Sequence, residues 1–359
     1  MQAAIPPWPE DVPIHPLVVI DYHLLKTGDT AEASRLWEAA TKLGFWYLKN
    51  HEMDRLVESM FDVGAQVMDL PMEEKMKYEQ GNNGISFGYK MPGANVITAQ
   101  GDLDTTEMLN IAKDDVLSWP RLVRRASEYS YPLPVLENME SVVRPFVSKS
   151  LEVNNTILGI FNDQLGLPQE MLLKLHPPNE LSGCEARIIK NKATASTTRL
   201  ATGSHTDFGT LSILHNRQGG LQVLPPGSQI WQYVKPIPNH AICNVGDALS
   251  IFSGGILRSN LHRVLPPPSS QANQDRWSLV FFSRPANEII LRALSDESRE
   301  IEKAVESADS DSKKMFDTGV TAQEWCRRRV KNRRVENNKV GLENWKASRG
   351  TESIQKASL

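Results

Sequence analysis

Eight histidines stand at positions 15, 23, 51, 176, 205, 215, 240 and 262, and only His205 is followed two places later by a carboxylate, Asp207. About one such tripeptide is expected by chance at ordinary acid usage. Its setting adds weight: His205-Thr206-Asp207 opens a strand-like run, and residues i and i+2 of an extended chain present their side chains on one face. Both groups can then point at one cation. His262, at the start of another strand pattern, supplies a second imidazole. Two imidazoles and one carboxylate favour Fe(II) with coordination positions left open, and open positions make a metal site catalytic. A buried histidine bonded to an acid, with an unrelated second histidine, is the competing reading of the same residues.

Downstream of His262 stands Arg276-Trp277-Ser278, where a guanidinium and a hydroxyl again share a strand face. Arginine offers a planar fork for a carboxylate. A dicarboxylate with a keto acid at one end can chelate the metal there and anchor its far carboxylate on Arg276 and Ser278. An ordinary surface strand pair, or a grip on the carboxylate of a substrate, is the competing reading.

These groups need strands to hold them. Between residues 184 and 284 the short runs TLSIL, LQVL, IWQYV, AICNV, LSIF and WSLVFF are separated by turn residues such as Gly219-Gly220, Pro225-Pro226-Gly227 and Gly246-Asp247. Regular short strands predict a sandwich or barrel. Ahead of them, PLVVIDY reads as a strand, and Asp29 with Glu32 opens an amphipathic helix that ends at Gly44. FWYL at 45–48 reads as a second strand, and a further helix stops before Pro71. Residues 80–105 form a long loop, a kind that tends to be functional. From Val135 to about Leu165 a long helix is expected, kinked or broken near Pro145. The resulting division is an arm (1–16), an α/β N-terminal region (17–130), bracing helices (131–180), a β core (181–290), a helical region (291–346) and a disordered tail (347–359).

Composition narrows the function classes. The 359 residues carry a formal charge of −3 with 40% hydrophobic residues, so no long-range field favours nucleic acid or anionic membrane. No apolar run approaches the roughly 18 residues of a membrane helix, and MQAAIPPWPEDVP lacks the features of a secretion signal. Cys184, Cys243 and Cys326 are widely spaced and fit reduced packing thiols. A cytoplasmic protein with no obligate protein partner is expected. Residues 323–346 are rich in Lys and Arg; a helix with a solvated basic face, Trp325 and Val330 turned inward, outweighs a nucleic-acid reading.

Together these motifs resemble the iron- and 2-oxoglutarate-dependent oxygenases of the isopenicillin N synthase-like type. From Arg187 to Pro285 the chain has HTDFGTLSIL, GGLQV, the NVGD turn, SNLHRV, and R-x-S followed by FF-x-x-P in family order, and its first half carries PLVVIDY, GFWYLKNH, LPMEEKMKY and FGY. The resemblance implies a mainly β fold with flanking helices: a double-stranded β-helix (jelly roll) core beside an α/β N-terminal region. It implies iron held by His205, Asp207 and His262. It further implies 2-oxoglutarate on Arg276 and Ser278, dioxygen as second cosubstrate, and a small organic substrate of specialised metabolism that is hydroxylated, desaturated or cyclised.

Plant members carry an Asn and a Tyr two and four places after the arginine matching Arg187, where this chain has Ile189 and Asn191. Either Asn191 or Lys190 is expected to take over part of that cosubstrate contact, or binding rests more heavily on Arg276 and Ser278. Phe282 lies where flavonoid-oxidising members stack a ring on substrate, and Phe208 and Tyr89 are candidates to line the mouth. His215 and His176 are assigned no role. Two other readings compete with the oxygenase: an oxidase of the same family that draws all electrons from its substrate without 2-oxoglutarate, and a non-catalytic small-molecule-binding barrel.

Overall fold

In the computed structural model, residues 5–125, 130–194, 196, 198–338 and 341–352 are described. The short β-branched runs become β1 (Val19–Asp21), β2 (Phe45–Lys49), β3 (Gly88–Lys90), β4 (Thr106–Ala112), β5 (Glu185–Asn191), β6 (Thr202–His205) and β7 (Leu211–Asn216). They continue as β8 (Leu221–Val223), β9 (Gln232–Tyr233), β10 (His240–Val245), β11 (His262–Val264) and β12 (Arg276–Phe282). Eight of these form a major sheet in the order β1-β2-β10-β7-β12-β5-β4-β3, and four form a minor sheet in the order β6-β11-β8-β9. The fold is a jelly roll with flanking helices. No helix among the described residues is long and apolar enough to cross a membrane.

The period of two along a strand sorts the side chains of the major sheet. On β5, Ala186 and Ile188 join the large core against the helices, while Arg187 and Ile189 line the cavity between the sheets. On β12, Trp277, Leu279 and Phe281 face the helices, and Arg276, Ser278, Val280 and Phe282 face the cavity. Strand β4 divides in the same way, with Leu109 and Ile111 outward and Thr106, Met108 and Asn110 inward. The outward face packs on helices Thr30–Lys42, Asp54–Met68 and Arg144–Gln164, whose apolar stripes supply Leu36, Met60, Phe146 and Ile157. At one end of the roll Phe45, Tyr47 and Ile242 of the major sheet meet Leu221 and Val223 of the minor one, closing that end with a second apolar cluster.

The run LSIF, read as a short strand, lies in helix Asp247–Phe252 instead; two further local expectations change, while the break expected near Pro145 is present. Asp29 does cap Thr30–Lys42 by accepting from the Glu32 amide at 2.8 Å, but Glu32 reaches the Asp21 amide and Arg35 instead of completing a reciprocal box. The helix expected over 135–165 is Leu133–Glu137, a π turn Met139–Val143, then Arg144–Gln164, with Pro145 in the first turn, where its missing N–H is tolerated. The tail placed at 347–359 is ordered through residue 352: Ser348, Thr351 and Glu352 are buried. Thr351 Oγ1 donates to Asp247 Oδ1 at 2.6 Å, and Glu352 meets Arg349 at 3.2 Å and Arg329 at 3.3 Å. Composition alone reads as disordered there because buried polar partners, not apolar side chains, hold the segment. Residues 353–359 lie outside the described residues.

Candidate metal and cosubstrate site

Pairing across the minor sheet joins the two histidines. His262 of β11 lies opposite His205 of β6 in antiparallel register, and Asp207 follows in the turn after β6. Both imidazole Nε2 atoms are 3.7 Å from Asp207 Oδ1, and one ligand atom from each of the three residues lies within 4.8 Å of the others. That spread suits a single ion at the ~2.1 Å bond lengths of N and O donors.

The surrounding groups orient the donors. Nδ1 of His205 faces the Gly203 carbonyl at 2.8 Å and Nδ1 of His262 the Asn260 carbonyl at 3.1 Å; an N–H there leaves each Nε2 with its lone pair. Asp207 Oδ2 accepts from Ser212 Oγ at 2.6 Å and from Asn244 Nδ2 at 2.8 Å, so Oδ1 is the oxygen turned to the histidines. Burial holds the His205 pKa well below its ordinary value, with His262 and Arg333 adding to the effect. For Asp207 burial works upward, but His262, His205, Asn244 and Ser212 outweigh it and hold the carboxyl below the usual range. A neutral imidazole and an ionised carboxylate are the forms that bind a cation.

On the inner face of β12, Arg276 is 4% exposed. Its Nε donates to the Gly219 carbonyl at 2.6 Å and its Nη1 to Ser278 Oγ at 2.8 Å. Burial pushes its pKa down to about 10, and no carboxylate lies within ion-pair distance of it among the described residues. The approach of the Gly219-Gly220 turn requires glycine: Gly220 has φ +109°, and a Cβ there would press into the Leu265 carbonyl oxygen and stand 3.0 Å from Arg276 Nε. A buried guanidinium and hydroxyl without an acid, sharing a cavity with two histidines and an aspartate, form a donor set that fits Fe(II) together with an external carboxylate.

The remaining sequence-based candidates divide. Phe282 and Phe208 line the cavity, Phe282 beneath the Arg187 guanidinium at 4.7 Å and Phe208 beneath Arg329 at 4.1 Å. Tyr89 does not line it. The ring is fully buried in the helix-side core and its hydroxyl donates to Glu107 at 2.7 Å, because on β3 it is Lys90 that points inward. Asn191 is absent from the lining, and its Oδ1 accepts at 2.9 Å from Oγ1 of Thr106, which does line the cavity. His215 sits in the core, as read. His176 contacts Thr210 Oγ1 at 2.6 Å and the Leu172 carbonyl at 2.7 Å.

Sequence reasoning missed the support below the site. Arg329, expected on a solvated basic face, is fully buried and paired with Asp247, which also accepts from the hydroxyls of Thr206, Ser259 and Thr351. Arg333, Trp345 and Arg349 line the cavity as well. Trp325 and Val330 are turned inward as expected.

A family model described as the 2OG-Fe(II) oxygenase superfamily matches residues 183–285, and a second, described as the N-terminal region of non-haem dioxygenase in morphine synthesis, matches residues 17–129. The 2-oxoglutarate-dependent dioxygenase frbH of Dothideomycetidae sp. (strain 11243) is 31% identical over 284 residues, covering 77% of this chain and 84% of that protein. The chain belongs to the 2OG-Fe(II) oxygenase superfamily. It is a 2-oxoglutarate-dependent dioxygenase of the isopenicillin N synthase-like type that uses Fe(II) and 2-oxoglutarate. A 1-aminocyclopropane-1-carboxylate oxidase of Dictyostelium discoideum is 26% identical, covering 77% of this chain and 83% of that one. Among solved structures, a full-length Neurospora crassa protein in complex with alpha-KG and 5-formyluracil has the same fold. Its TM-score is 0.70 at 21% identity, over 90% of this chain and 97% of that one.

Proposed function

We propose that His205, Asp207 and His262 hold Fe(II), that Arg276 and Ser278 hold the far carboxylate of 2-oxoglutarate, and that the enzyme oxidises a small organic molecule of specialised metabolism. The observation that carries this reading is Arg276, a buried cation without an acid partner among the described residues, set in the same cavity as the three donor side chains. A carboxylate from outside the chain is what such a cation lacks. When bound, iron with 2-oxoglutarate and dioxygen supplies the oxidising power, the cosubstrate losing carbon dioxide to become succinate while a substrate carbon is oxidised.

The chain's own contribution is positional. Three protein ligands leave half of a six-coordinate shell to small molecules. Ser212 and Asn244 fix which oxygen of Asp207 faces the metal, and the backbone carbonyls of Gly203 and Asn260 fix the histidine tautomers. Apolar side chains of the inner sheet faces, among them Met108, Leu214 and Val280, exclude water from the reacting atoms. Phe208 and Phe282 serve as substrate-facing rings. No side chain is needed as acid or base in the oxidation itself.

All of the groups assigned to iron and cosubstrate come from one chain, which supports action without an obligate protein partner. The three cysteines are free, which supports a reducing compartment such as the cytoplasm. The fungal dioxygenases among the relatives and the morphine-synthesis description of the N-terminal model support specialised metabolism.

The test is anaerobic titration of the Fe(II)-loaded protein with 2-oxoglutarate, watching for the metal-to-ligand charge-transfer band. The band is expected to saturate with one equivalent bound, and its absence while Fe(II) is held refutes cosubstrate chelation. Product formation without succinate would favour the oxidase instead.

A further inference from the structure

Part of the cavity wall comes from the C-terminal part of the chain: Arg333, which ends helix Ala322–Arg333, together with Trp345 and Arg349. Most cations on the wall are already matched. Lys90 is paired with Asp104, and Arg187 lies 2.5 Å from Glu185. Arg349 donates to the Ser204 carbonyl at 2.6 Å and lies 3.2 Å from Glu352. Arg276 faces the cosubstrate in the reading above.

Arg333, partly buried, shares with Arg276 the lack of an acid partner, but no ligand has yet been assigned to it. No acid lies within ion-pair distance of it among the described residues, and its Nη2 is shut off from solvent without a hydrogen-bond partner. Its guanidinium lies over the Phe208 ring, 4.8 Å from the centroid, and close enough to the metal site to act on both His205 and Asp207. Burial, with Arg329 and Arg349, pushes its pKa down to about 9. The position is built: the Arg333 carbonyl accepts from the Val96 amide at 2.7 Å, which ties the helix end to the loop that supplies Val96 and Ile97 to the same wall. A cation kept at such a place costs stability unless something from outside meets it.

We propose that Arg333 is the substrate-recognition residue and that the substrate is an amphipathic organic acid, its carboxylate on Arg333 and its apolar part against Val96, Ile97 and Trp345. One unmatched positive charge suits a monocarboxylate; a phosphate dianion would bring a second charge that nothing on this wall offsets. With its face on Phe208, the guanidinium can offer a carboxylate its accessible donors, and Nη2 joins them only if the side chain turns from its present position. Fixing the acid at one end sets which carbon of the substrate lies next to the metal, so this residue determines regiochemistry as well as affinity. The inference rests on the proposed metal and cosubstrate assignment.

The test uses the full chain loaded with Fe(II) and 2-oxoglutarate under nitrogen. Octanoate, 3-phenylpropionate and 1-naphthoate, each beside its primary amide, are titrated by thermal shift and by change in tryptophan fluorescence. At least one acid is expected to bind roughly tenfold or more tighter than its amide. Arg333→Gln should remove that preference, Arg333→Lys should restore part of it, and the charge-transfer titration with 2-oxoglutarate should be unchanged in both. No preference for acid over amide in the wild type overturns the proposal, and this comparison decides even if Arg333→Gln fails to fold. A preference that survives Arg333→Gln also overturns it, as does an equal loss of 2-oxoglutarate affinity in that variant. Failure of the wild type to develop the charge-transfer band refutes the cosubstrate assignment instead.

Discussion

Replacing Arg276 with glutamine separates what the buried charge costs from what it does. In the native protein the guanidinium is almost wholly buried and satisfied only by Gly219 O and Ser278 Oγ, so its charge is unmatched within the described chain. Removing one partner of a buried, hydrogen-bonded charge pair costs about 2–5 kcal/mol of affinity, equivalent to about thirtyfold up to several thousandfold. Arg276→Gln should therefore raise the KM for 2-oxoglutarate by about thirtyfold or more. Without cosubstrate the same change relieves an uncompensated charge while leaving the Gly219 carbonyl unpaired. These oppose each other, and the melting temperature should stay within about 3 °C of wild type. Arg276→Lys keeps the charge but loses the fork and should fall between the two. The assay is succinate release at varied 2-oxoglutarate, with the anaerobic charge-transfer titration as a second reading of binding. A KM for Arg276→Gln within about threefold of wild type would refute the assignment of Arg276 to the cosubstrate.

Three further predictions concern the groups around the site. Asn244→Ala frees one oxygen of Asp207 to turn, and Fe(II) affinity in anaerobic titration should drop about ten- to a hundredfold. Arg329→Met leaves Asp247 buried without its cation and should cost about 3–5 kcal/mol in denaturant unfolding; a loss within the error of the measurement would mean the pair contributes nothing. His176 is held neutral, its pKa pushed down to about 4 by burial, with Lys113 adding to the effect against the Leu172 carbonyl. Between pH 6.5 and 4 the unfolded chain binds a proton there that the folded chain does not. Stability is therefore complete above about pH 6.5 and falls as the pH drops towards 4, by at most about 3 kcal/mol for this residue. His176→Gln should flatten the stability-pH curve over that window.

The candidate metal site was legible because its order along the chain carries it. His205, Asp207 and His262 stand on strand patterns whose parity can be read from residue types, and Arg276 and Ser278 share parity on β12 for the same reason. Parity failed where no alternation marks the strand. Around β3 the sequence NNGISFGYK offers glycines and polar residues, so nothing in it says that Lys90 points inward and Tyr89 outward. Asn191 has the right parity, but its side chain is engaged by Thr106 of the neighbouring strand, a relation between residues 85 apart in the chain. Arg329 was hidden inside a basic run, where one buried arginine looks like its solvated neighbours. Its partners, Asp247 and Glu352, belong to the start of the short helix Asp247–Phe252 and to a polar tail. Charge pairing of that kind leaves no periodic mark.

The segment from Trp345 to Glu352 also has a bearing on biosynthesis. A ribosome that has released every strand of the roll still holds back one side of the reaction chamber, along with the acid that meets Arg329 and Arg349. The catalytic compartment thus matures after the barrel that frames it. Nascent chains stalled just short of residue 345 should fold their sheets yet keep the chamber open to solvent.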